Sequence, residues 1–121
     1  MSELEYTPVM VEQRLRRLLN QLSEATKVQD EAYGRFLAAK RAFDAAEASA
    51  FVDTIGKGPI PDREALTTLA VMSEREACDV ADRAYRYARS RLEMLKIQIM
   101  GVQTIGKSVS TAYGAIGVVE P

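Results

Sequence analysis

From Pro8 to about Val52 the apolar residues return in alternating steps of four and three. One line runs through Leu15, Leu22, Gln29, Phe36, Phe43 and Ala50, and its neighbour through Val11, Leu18, Ala25, Ala32, Ala39 and Ala46. Such a heptad seam predicts a long amphipathic helix packed lengthwise on a partner helix. Large residues alternate with alanines, so the partner can lie close over the small positions while Phe36 and Phe43 fill the gaps between them. Gln29, the one polar seam residue, is read as fixing register. The start is marked by Thr7-Pro8: the threonine hydroxyl accepts from an otherwise orphan amide, and the proline has no amide to leave unpaired. Tyr6 and Val11 stand at the two staple positions across that cap.

The run Thr54-Ile-Gly-Lys-Gly-Pro-Ile-Pro-Asp62 breaks this pattern, because two glycines and two prolines cannot continue a helix. A second periodic run follows. Leu66, Leu69 and Ala70 lead into it, and Ala81, Ala84, Ala88, Leu92, Leu95, Ile99 and Val102 carry it on. Ser73-Glu74-Arg75-Glu76 fits a capping box and would make Asp62 to Met72 a short helix of its own; one continuous helix from 63 to about 112 is the expectation here, with a flexible tail over 114–121. The predicted fold class is therefore all-α: a single domain forming an antiparallel, coiled-coil-like helical hairpin about the turn 54–62. Charges suit that arrangement, since folding about a turn near Gly58 sets Asp30 level with Arg86, Glu24 near Arg91 and Arg41 near Glu74 and Glu76.

Composition narrows the function classes. Sixteen basic and seventeen acidic residues in a chain of 121 leave a net charge of −1, which argues against a general nucleic-acid coat. Cys78 is the only cysteine and there is no histidine, so an internal disulfide is excluded and the commonest general base and metal ligand is missing. Cys78 itself reads as a small, buried or half-buried helix residue. No stretch approaches the about 20 apolar residues of a membrane span, and no signal peptide is evident; a cytoplasmic protein with no membrane partner is expected.

Two motifs carry candidate chemistry. Gly101-Val-Gln-Thr-Ile-Gly106-Lys107-Ser108 satisfies G-x-x-x-x-G-K-[ST], in which backbone amides cradle phosphates, the lysine reaches the terminal phosphates and the serine holds magnesium. That loop needs a parallel sheet behind it, and none is predicted. The second is Arg83-Ala-Tyr85-Arg86-Tyr87-Ala-Arg89-Ser-Arg91, where arginines could take phosphates and tyrosines stack on bases. Arg83, Tyr85, Arg86 and Arg89 are the candidate nucleic-acid contacts; a solvated face paired with Asp30, Glu31, Asp79 and Asp82 is the plainer alternative.

The segments AKRAFDAAEASAF, REACDVADRAYRYARSRLEML and VQTIGKSVSTAYG, in that order around a Gly/Pro turn, resemble small helical proteins of tailed bacteriophages that infect actinobacteria. Such proteins are often encoded near single-strand annealing or recombination genes, so the resemblance implies an accessory role in DNA recombination inside a bacterial host, with no catalytic residues to carry over.

The expectation is a non-enzymatic helical interaction or adaptor protein, a phage accessory factor in DNA recombination or one that modulates a host protein, with no catalytic, cofactor-binding or metal-binding residues. A single-stranded nucleic-acid binder is the alternative, and an NTP-binding protein using the tail motif a more distant one. Partners are a second copy and another protein. A lone hairpin leaves Leu19, Tyr33, Leu37, Val80, Tyr87 and Met94 outside its seam, with Ile105 on the same line of the second helix. These predict an oligomer interface, most simply a dimer forming a four-helix bundle.

Overall fold

The computed structural model describes residues 6–115, and among them the chain is all-α: α1 Pro8–Val52, α2 Ile60–Ala70 and α3 Met72–Ala115. The polar lead before Tyr6 and the last six residues of the expected flexible tail lie outside the described residues. Gly114 and Ala115, assigned to that tail from sequence, still belong to α3.

α1 begins as its cap predicts. The Met10 amide donates to Thr7 Oγ1 at 3.2 Å and the Val11 amide to the Thr7 carbonyl at 3.0 Å, while Tyr6 packs against the apolar cluster that contains Val11. Thr7→Ala is expected to lower stability by about 1 kcal/mol, read as a shift of the urea midpoint together with faster amide exchange in the first turn of α1. An unchanged midpoint would mean that Pro8 alone sets the start.

The second helical run divides where one continuous helix was expected. α2 starts at Ile60 behind Pro59, whose extended backbone (φ −70°, ψ 164°) opens the first turn, with Pro61 inside that turn. There a proline ring costs no hydrogen bond. α2 ends at Val71 (φ −114°, ψ 20°), and the Val71 carbonyl accepts the Arg75 amide at 2.9 Å to begin α3. Ser73 is therefore inside α3, bonded to the Glu74 carboxylate, and the capping box is not used. Thr67 and Thr68 donate back to the carbonyls of Arg63 and Glu64, a pattern that bends helices, and Val71 at the break is 2% exposed.

Contacts gather in two compact units, Met1–Lys27 with Ser90–Pro121, and Val28–Arg89. In the first, Val11, Leu18 and Ala25 of α1 form one core with Leu92, Leu95, Ile99, Val102 and Val109 of α3, joined by half-buried Leu15, Leu22, Ile105 and Tyr113. Ile105, expected on the outer line, thus belongs to the core. In the second, Tyr85 packs on Tyr33 (centroids 5.0 Å) and stacks on Phe36 (6.2 Å, planes at 7°), and the Arg75 guanidinium lies 5.1 Å over the Phe43 ring.

Burial along α1 follows the predicted seam position by position, half-buried Gln29 included. Along α3 it follows strict steps of three and four through Cys78, Ala81, Tyr85, Ala88 and Leu92, so Ala84, taken from sequence as a seam residue, is exposed and Tyr85 stands in its place. The predicted pairs Asp30 with Arg86, Glu24 with Arg91 and Arg41 with Glu74 or Glu76 do not form. Among the described residues every ion pair joins side chains three or four apart on one helix, with Arg86 held by Asp82 and Glu24 by Lys27. Such pairs need no reorientation of two long side chains across a helix interface.

Candidate interaction surfaces

The turn is built around one arginine. Thr54, 5% exposed, donates from Oγ1 to the Phe51 carbonyl at 2.6 Å and accepts from Arg63 Nε at 3.1 Å, while the Arg63 guanidinium lies 4.5 Å over the Phe51 ring. Gly56 (φ 83°) and Gly58 (φ 114°) supply the left-handed backbone that brings the chain round. With Arg63 drawn inward, the residues at steps of four, Thr67 and Val71, face inward as well and are buried. Nothing in the apolar pattern announces this clasp; the only local signal was an arginine shortly after a Gly/Pro turn that also holds a threonine.

The consequence is an inverted short helix. Leu66 and Leu69, which lead into the second periodic run of the sequence, point outward at 43% and 66% exposure, with Ala65 and Asp62 exposed on the same side and Met72 just beyond. A helix normally turns its leucines in and its threonines out. Val52, Ile55 and Ile60 around the turn are exposed too.

The expected oligomer residues divide. Leu19, Val80, Tyr87 and Met94 are exposed, Tyr87 at 73%. Tyr33 is exposed yet already packed on Tyr85, and Leu37 is half-buried. The candidate nucleic-acid contacts are also divided. Arg83, Arg86 and Arg89 are exposed, but Tyr85 is stacked within its own unit and Arg86 is tied to Asp82 at 3.1 Å. Of the two rings in the run only Tyr87 keeps an open face, and it stands between Arg83 and Arg89, which form no ion pair among the described residues.

Gly101 to Ser108 is continuous α-helix within α3. Its amides are committed along the helix and cannot converge on a phosphate, and Lys96 to Met100, the strand such a loop would follow, is helical as well. Gly106 serves packing: a Cβ built there would come 3.0 Å from Val11 Cγ1, whereas one at Gly101 would meet nothing within 4 Å. Gly101→Ala should therefore raise stability by about 0.5–1 kcal/mol through helix propensity. Gly106→Ala should gain nothing, its propensity benefit cancelled by the close approach. Equal gains in paired urea titrations would refute that contact.

Beside Gly106 runs an open groove of about 950 Å³ lined by Leu15, Met100, Gln103, Thr104, Ser110 and Thr111, with Lys107 its only ionisable side chain. No group of three or more acidic or cysteine side chains that could hold a metal occurs among the described residues, and no described helix is long and apolar enough to cross a membrane. Comparison with known protein families, curated proteins and solved structures found no match to this chain.

Proposed function

We propose that this chain is a non-enzymatic helical interaction protein in which α1 and α3 pair antiparallel within each unit, and that it associates with a second copy and serves as an adaptor for another protein. The antiparallel pairing is supported in the second unit by the order of contacts, where Tyr33 and Phe36 meet Tyr85 and Phe43 meets Arg75, one number falling as the other rises, and in the first unit by Val11 near the start of α1 lying beside Gly106 near the end of α3. The interaction role rests on a single observation, the many large apolar side chains left in solvent while the seams are filled, among them Leu19, Leu69, Val80, Tyr87, Met94 and Ile97. Each gives roughly 1.5–3 kcal/mol when fully buried, so a few per copy offset the cost of association. A place as an accessory factor in phage recombination rests on the resemblance of the helical segments alone.

Sedimentation equilibrium at micromolar concentration tests the association. The expected mass is at least twice that of the 13.4 kDa chain. A stable monomer would refute self-association, and capture of the tagged chain with no host protein at all would refute the adaptor role.

A further inference from the structure

We infer that the outward face of α2 docks on the first unit of a second copy, against the stripe Met94, Ile97 and Met100 of α3 with Leu19 of α1 alongside. This rests on the self-association proposed above and names its contact. Asp62, Leu66 and Leu69 recur at steps of four and three and share one face, and both leucines are exposed because the Arg63 clasp turns the opposite face inward. Met94, Ile97 and Met100, three apart, make a drifting stripe on α3, exposed at 56%, 68% and 64%. Unbranched methionines adapt to whatever side chain meets them.

Charge selects a second copy as the occupant. In the described part of the first unit the only acids are Glu12, Glu24 and Glu93, and each already pairs within its own helix, with Arg16, Lys27 and Lys96. Arg14, Arg17, Arg91 and Lys107 form no ion pair among the described residues, and at 100° per residue Arg91 and Lys107 flank the two ends of the Met94, Ile97, Met100 stripe. Around α2, Asp53 and Asp62 form no ion pair among the described residues. Asp62 shares the face of Leu66 and Leu69, whereas Glu64 lies on the other side of the helix. Of the nearby cations, Arg63 is engaged by Thr54 and the Phe51 ring, and Lys57 sits in the turn outside that face. An apolar face that carries Asp62 and an apolar stripe flanked by Arg91 and Lys107 on one chain suit two copies that each give one and receive the other. Pairing α2 with α2 would instead set Asp62 against its like.

The test uses the full chain. Leu66→Gln with Leu69→Gln, and separately Met94→Gln with Ile97→Gln, should each weaken self-association about tenfold or more while helicity by circular dichroism stays unchanged, because all four side chains are already exposed. Tyr87→Glu should leave association intact. A photo-crosslinking residue at position 69 should capture the peptide between Arg91 and Lys107 of another copy, and Asp62→Lys should weaken an association that Arg91→Glu with Lys107→Glu then restores. If the protein associates but only Tyr87→Glu dissociates it, or position 69 captures α2 of another copy or only a different protein, the inference is overturned and self-association stands. A monomer at all concentrations overturns both.

Discussion

Replacing Leu95 with alanine is expected to lower the unfolding free energy by about 2–5 kcal/mol, the range for removing a fully buried leucine side chain. Leu95 is 3% exposed, the least exposed member of the cluster that joins α1 to α3 in the first unit. Its neighbours there include Leu18, Ile99 and Val102 on short stretches of only two helices. Little material lies beyond them to collapse into the space left behind, so the transfer term and the cavity term both persist. Domains of this size are stable by only about 5–15 kcal/mol, so the loss is a large fraction of the whole and shows as a clear fall in the urea midpoint. Val28→Ala, at an exposed position, should stay within about 0.5 kcal/mol of the parent. Equal midpoints for the two variants would mean that the first unit is not held by this core.

Arg63→Met should cost about 1–3 kcal/mol, although the side chain is only half-buried and methionine keeps its apolar stem. The substitution removes a charged hydrogen bond to a buried hydroxyl and a cation held over an aromatic face, contributions of comparable size. Arg63→Lys should recover little, because an ammonium cannot donate sideways to Thr54 Oγ1 while lying flat on the Phe51 ring. The damage should also be local. Amide exchange should accelerate throughout α2 before it does in the core around Leu95, since α2 has only Thr67 buried along its length. Uniform acceleration across the chain, or full rescue by lysine, would show that Arg63 acts merely as a spacer.

The heptad spacing of α1, its Thr7-Pro8 start and a break near Thr54 to Asp62 were legible in the residues, because each rests on local physics: periodic burial, an orphan amide and the backbone limits of proline and glycine. The break itself runs 53–59, and Ile60 to Asp62, expected in the turn, already belong to α2. The phosphate-loop pattern was legible as lacking a sheet behind it, and its helical conformation follows from the periodicity of Val102, Ile105 and Val109.

Tyr85 was recoverable as well. Counting back from Leu92 by four to Ala88 requires a step of three, which reaches Tyr85 and not Ala84. Alanine and tyrosine are both compatible with a seam, and composition favoured the smaller residue in an alanine-rich line.

The ion pairs could not be read by levelling charges across the turn. Exposed cations find acids a turn away on their own helix at least as readily as acids on a neighbour. Only tertiary structure decided the rotation of α2. Its outward leucines and inward threonine contradict every rule of apolar patterning, and they follow from a single non-local fact: Arg63 reaches back to Thr54 and Phe51, and whatever face of a short helix carries that arginine must turn inward with it.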